Sequence, residues 1–178
     1  LEFTQLDVEM SFIGFEEFRK IMQASLIEAF KTYSLSVSHN DFKEMTYHEA
    51  IERYGSDKPD MRIKGMELVS INDIVENCDF AVFKNIAKGG GLVKGLKVEK
   101  GQESLSRKDI DKLIEFSQQQ GAKGMAWMKV LENSSLESSI TKFFKQDELK
   151  QIADKFDARE GDYLFFIADT KETTNEVL

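Results

Sequence analysis

Proline is nearly absent from this chain: Pro59 is the only one among 178 residues. Interruptions of regular structure must therefore come from glycine and short polar side chains. Cysteine is equally scarce. Cys78 stands alone, which excludes an intramolecular disulfide and makes a reducing cytoplasm the expected setting. The two histidines, His39 and His48, have no further histidine or cysteine at ligand spacing, so no metal motif is legible. Long apolar runs are missing as well: YLFFIA, residues 163–168, is strand-sized and far short of a membrane span. The first residues are acidic and alternating rather than basic and then apolar, so no signal peptide is read. Positive charge is the minority sign, and 24 Lys and Arg against 32 Asp and Glu leave a net charge of −8. Such a balance argues against nonspecific coating of nucleic acid, but not against a local basic face.

The remaining composition, 41% hydrophobic and 31% charged, is that of a globular protein with one domain or a domain plus part of another. The opening stretch TQLDVEMSF alternates strictly. Leu6, Val8, Met10 and Phe12 fall on one face and Gln5, Asp7, Glu9 and Ser11 on the other, which predicts a strand with one face on a core. At Gly14 the period changes. Phe15, Phe18, Ile21, Met22, Leu26, Ala29 and Phe30 recur at three and four residues and predict an amphipathic helix to about Tyr33. Residues 34–41 read as loop. TYHE then offers a capping box between Thr46 and Glu49, and the short helix that follows stops at Gly55. Residues 55–60, GSDKPD, are turn formers and predict an ordered loop.

A second unit is expected from about Met66. Asn72 is the candidate cap of a short helix. Residues 80–87 and 92–98 read as two strands joined across KGGG, Ser106 and Asp109 form a capping box, and residues 125–131 read as a strand. Two short helices at residues 136–144 and 149–156 precede a last buried strand at 163–168. The order β-β-α-β-α-β predicts an α+β fold, an antiparallel or mixed sheet with helices on one face. The pattern begins inside a strand and ends where a helix starts, so the chain is expected to be a piece of a longer protein.

Few residues carry chemistry by their spacing. Leu92 follows the triglycine where a phosphate loop needs Lys and Ser or Thr, which favours a turn. Cys78 has no motif around it and reads as packing. Between residues 84 and 108 the charge reverses: Lys84, Lys88, Lys94, Lys97, Lys100, Arg107 and Lys108 oppose only Glu99 and Glu103. That window is either a solvated edge that discourages sheet pairing or a surface facing RNA. On the opening strand, two acceptors on one face can hold an ammonium or orient a neighbouring cation, without naming a substrate.

The words of the sequence say more than its periods. EFTQLDVEMSF resembles the second strand of motif two in bacterial aspartyl-tRNA synthetases, class II enzymes, where it usually reads PEFTQ-x-D-x-E-x-SF. The resemblance continues in order through MTYHEAIERYGSDKPDMR, FAVFKNIA, GGLVKGLKV, LSRKDIDKL, GAKGMAWMKV and GDYLFFIAD, and so covers essentially the whole chain. Leu1 departs from the proline usual before EFTQ. The likeness implies three parts: residues 1–65 from the catalytic domain, residues 66–170 as a GAD insertion domain, a two-layer α/β sandwich, and residues 171–178 returning to the catalytic domain. It implies that Gln5 and Asp7 line the aspartate and adenylate pocket, with Asp7 orienting cationic groups around the aspartate. Motif one, the motif-two arginine, motif three and the anticodon domain have no counterpart here. No complete catalytic set is therefore expected, and the piece alone is expected to be inactive. For the parent enzyme the resemblance implies L-aspartate, ATP with Mg2+, tRNA(Asp), a homodimer and a cytoplasmic location. For the piece it implies a monomer or weak associate with no bound cofactor or metal and no membrane. The alternative is a stand-alone GAD module that binds tRNA or protein, as in a tRNA-dependent amidotransferase subunit, although that protein would lack EFTQLD and YGSDKPD.

Overall fold

The computed structural model describes residues 2–33, 42–62, 65 and 67–178; the expected loop at 34–41 and Met66 lie outside them. The chain divides into two compact units, Leu1–Met45 and Thr46–Leu178.

In the first unit the change of period at Gly14 becomes helix α1 (Phe15–Thr32). Its first turn holds Glu16 and Glu17 and its last holds Lys31, the arrangement that suits the helix dipole. Arg19 bridges Glu16 at 2.6 Å and also pairs with Glu44. No residue of α1 is buried. The opening segment corrects the strand reading. Residues 2–10 adopt no regular structure, and Leu6, on the face meant for a core, is 83% exposed. Alternation says which face a strand would bury, but a strand exists only when a neighbour supplies its hydrogen bonds. Among the described residues no strand pairs with this segment.

The second unit is built on five strands: β1 (Val69–Ser70), β2 (Leu92–Val98), β3 (Met125–Val130), β4 (Leu136–Glu137) and β5 (Tyr163–Asp169). They form one open sheet in the order β1-β2-β5-β3-β4, with every neighbouring pair antiparallel. The α+β class with an antiparallel sheet is the one observed. β5 is central, which explains its unbroken apolar run: a strand covered on both faces has no polar side to show.

One sheet face, carrying Val93, Met128, Leu164 and Phe166, is covered by α3 (Asn72–Val75), α4 (Ala81–Lys88) and α7 (Gln146–Lys155). Phe166 is the hub there, with the Phe83 ring 6.0 Å away and the Phe156 ring 5.5 Å away. Each such side chain, fully buried, contributes about 1.5–3 kcal/mol. The other face is not bare. Leu96, Trp127, Tyr163 and Phe165 meet Ile110 and Ile114 of α6 (Arg107–Gln119), so helical cover extends to both sides of the sheet. The capping box between Ser106 and Asp109 forms as expected and starts α6.

Three local readings change. The strand expected at 80–87 is not observed: Ala81–Lys88 form helix α4. Phe80, Phe83 and Ile86 also fit a spacing of three, and that period wins because it puts Phe83 into the core and ends the helix at Gly89. Asn72 does not cap a helix. It ties two segments, donating to the Gly91 carbonyl at 2.8 Å and accepting from the Val93 amide at 2.6 Å. Residues 136–144 hold β4 and a 3-10 turn, Thr141–Phe143, in place of an α-helix. Two further helices, α2 (Tyr47–Tyr54) and α8 (Lys171–Val177), complete the unit, together with a single turn, α5 (Gly101–Ser104).

Candidate functional site

Two side chains singled out in the opening segment meet. Gln5 Nε2 donates to Asp7 Oδ1 at 3.3 Å, and both residues are exposed. An amide and a carboxylate held together present acceptors to a cation and a donor to an anion.

The loop after α2 is ordered by its own side chains. Thr46 accepts from the Glu49 amide at 3.1 Å to start the helix. The Glu49 carboxylate turns instead to Arg53, at 2.6 Å, so only one half of the expected capping box forms. Gly55 closes the helix in a left-handed conformation, φ 69°. A side chain at this position would also collide with the Asn175 carbonyl, 2.7 Å from where a Cβ would stand. Ser56 then accepts from the Lys58 amide at 3.1 Å, and Lys58 pairs with Asp57. Asp60 accepts from Arg62 through its amide at 3.1 Å and from the guanidinium at 2.8 and 2.6 Å. These bonds from Arg62 hold the Asp60 carboxyl down to about 2. Arg53 is raised above its usual range by the hydrogen bonds it donates, first to Glu67 and then to Glu49. Burial, helped by the charge of Glu67, raises the Tyr54 phenol.

The seven cations of the basic window do not form one surface. Lys84 and Lys88 ride on α4, on the Phe83 side of the sheet, while Arg107 and Lys108 begin α6 on the opposite side. Lys97 is largely covered; it donates to the Asp157 carbonyl at 3.0 Å and pairs with Glu99 at 3.5 Å. Lys94 corrects the expectation outright. Its side chain is 0% exposed, so it presents nothing to a solvent-borne partner. Exposed and close in the chain remain Lys100, Arg107 and Lys108, which flank α5 on the connection from β2 to α6. Arg107 lies over the Trp127 ring at 5.1 Å and bridges Asp111 at 3.1 Å.

The place of Lys94 was legible in outline. On β2 it shares a face with Leu92, Leu96 and Val98, so a strand reading alone turns it inward, and an inward lysine needs oxygen partners. Its partners, on α2 and α8, lie 42 and 81 residues away in sequence, beyond the reach of any local pattern.

A cleft of about 570 Å³ runs beside β3, lined by Phe80, Val82, Ile86, Arg107, Lys123 and Trp127 among others. Its walls are mainly apolar, and it holds no carboxylate and no histidine. Among the described residues no three His, Cys, Asp or Glu side chains gather to hold a metal. No helix of the described residues is long and apolar enough to cross a membrane.

Comparison with known proteins adds kinship to this geometry. A family model described as GAD domain matches residues 83–178. The aspartate–tRNA(Asp/Asn) ligase of Persephonella marina is 45% identical over 177 residues, covering 99% of this chain and 29% of that protein. The protein of the same name from Natranaerobius thermophilus is also 45% identical, over 99% of this chain and 30% of its own length. The aspartate–tRNA ligase of Shouchella clausii is 42% identical over 178 residues, again with 30% of its length covered. The chain thus spans about 30% of the length of the curated relatives it matches.

Proposed function

The chain belongs to the GAD domain family, and we propose that it is part of an aspartate–tRNA ligase, with residues 66–170 as the GAD insertion and residues 1–65 and 171–178 serving the catalytic domain. The observation that carries this reading is the reach of the similarity. It runs over 99% of the chain and so includes EFTQLD and YGSDKPD, which lie outside the GAD match. A stand-alone tRNA- or protein-binding module would need only the latter part.

In the whole enzyme the α-carboxylate of L-aspartate attacks the α-phosphorus of ATP, giving aspartyl-adenylate and pyrophosphate. The terminal ribose hydroxyl of tRNA(Asp) then attacks the adenylate carbonyl, the bond to the phosphate oxygen breaks, and AMP leaves with aspartyl-tRNA as product. Catalysis of this kind is mostly positioning and charge neutralisation. Gln5 and Asp7 bring the polar groups this chain offers to that pocket, and the 3.3 Å bond between them fixes their mutual orientation. When bound to the parent enzyme, Mg2+ would supply neutralisation of phosphate charge. Among the described residues no cluster of His, Cys, Asp and Glu side chains gathers to hold it. The parent acts in the cytoplasm as a homodimer, and the 178-residue chain is a monomer or weak associate.

In the full-length enzyme, Asp7→Asn tests the assignment. Loss of a charged hydrogen-bonding group costs about 1.5–3 kcal/mol, so kcat/KM for aspartate-dependent ATP–pyrophosphate exchange should fall roughly 10- to 100-fold. Exchange kinetics equal to those of the unaltered enzyme would remove Asp7 from the pocket.

A further inference from the structure

Lys94 is the one lysine among the described residues to be fully buried, and the function just proposed does not use it. A buried ammonium is costly unless each of its three N–H donors finds an oxygen. All three do. Lys94 Nζ donates to the Glu52 carbonyl at 2.8 Å, the Ile51 carbonyl at 3.4 Å and Asn175 Oδ1 at 3.2 Å, and the Glu52 carboxylate lies 3.4 Å away.

The partners belong to two helices far apart in sequence. Ile51 and Glu52 lie in the last turns of α2, where backbone carbonyls lack partners within the helix and the dipole favours a cation. The neighbouring carbonyl, that of Arg53, accepts from the Leu68 amide at 2.7 Å, and the Ile51 carbonyl also takes the Gly55 amide at 3.0 Å. Beside the capping bond from Gly55, the end of α2 is thus closed by Lys94 and the Leu68 amide. Asn175 lies on α8; its side chain accepts from Lys94, and its carbonyl stands 2.7 Å from where a Cβ on Gly55, just past α2, would be. An eight-residue helix is too short to persist by itself, so these outside bonds decide whether α2 holds its shape.

We infer that Lys94 is a latch that fastens α2 and α8 to β2 of the sheet. Under the reading above, which this inference rests on and deepens, α2 precedes the insertion and α8 follows it. One ammonium then fixes how the sheet is carried on both connecting segments, and it anchors the turn from which residues 55–60 depart. Amide hydrogen exchange on the 178-residue chain tests the latch without any catalytic readout, so the latch and the ligase assignment can fail separately. Lys94→Met keeps an unbranched apolar stem, one atom shorter, and removes the charge and all three donors. The expected result is exchange roughly ten-fold or more faster in the last turn of α2 and in α8, with the amides of β5 unchanged. Asn175→Ala removes only the α8 arm and should speed α8 while leaving β5 unchanged; it decides the matter if Lys94→Met does not fold. Unchanged exchange in α2 and α8 would overturn the latch. So would an equal loss of protection in β5, which would make Lys94 an ordinary member of the core.

Discussion

Gly95 and Phe166 stand opposite each other where β2 pairs with β5, and the phenylalanine ring fills the space a side chain at position 95 would take. A Cβ there would lie 2.7 Å from the Phe166 ring and would also meet the Phe165 carbonyl oxygen. Phe166 cannot withdraw, because the rings of Phe83 and Phe156 pack around it. Gly95→Ala should therefore destabilise the second unit by about 1–3 kcal/mol, the cost of overpacking. Urea denaturation checks this: the midpoint falls while the slope is kept. A midpoint equal to that of the unaltered chain would show that the ladder can open there freely.

Asp60 should titrate near 2 rather than near 3.8, because Arg62 donates to it three times. A carboxyl depressed in the folded state contributes order that is fully present above about 3.8 and is lost as the pH falls toward 2. The Asp60 carboxyl resonance, followed by NMR from pH 6 downward, gives the midpoint. Arg62→Ala should return it toward 3.8. A midpoint that ignores this substitution would mean that the pairing in the loop does not persist in solution.

The fold was legible in the sequence wherever local chemistry decides. The Ser106–Asp109 box, the period change at Gly14 and the apolar run of β5 each name their element because the cause lies within a few residues. Legibility failed where a distant partner decides. Residues 80–87 fit two periods, and only the pocket around Phe83 selects the helix. The alternation of residues 4–12 is real, yet it forms no strand without a neighbour. Of the candidate site, spacing put Gln5 and Asp7 on one face, and only the resemblance names them as pocket residues. Lys94 was misjudged because charge in a sequence counts as surface until its oxygens, on α2 and α8, are in view.

We propose Lys100, Arg107 and Lys108, exposed and close in the chain, as a contact with tRNA; Lys88, also exposed, rides on α4 across the sheet. Contact through so few cations on a chain of net charge −8 should be weak and steeply salt-dependent. Reversing all three to glutamate should abolish the binding of labelled acceptor-stem RNA at low salt, while Lys97→Glu should change it little because Lys97 is engaged with Asp157 and Glu99. RNA binding that survives the triple reversal would remove this connection as the contact.

Aspartate-dependent ATP–pyrophosphate exchange, measured on the full-length protein that contains this chain and on residues 1–178 alone, tests membership in an aspartate–tRNA ligase most directly. The expected result is exchange by the full-length protein with L-aspartate and with no other amino acid, and none by the 178-residue chain. No aspartate-dependent exchange from the full-length protein, or robust exchange from the short chain, would contradict the account.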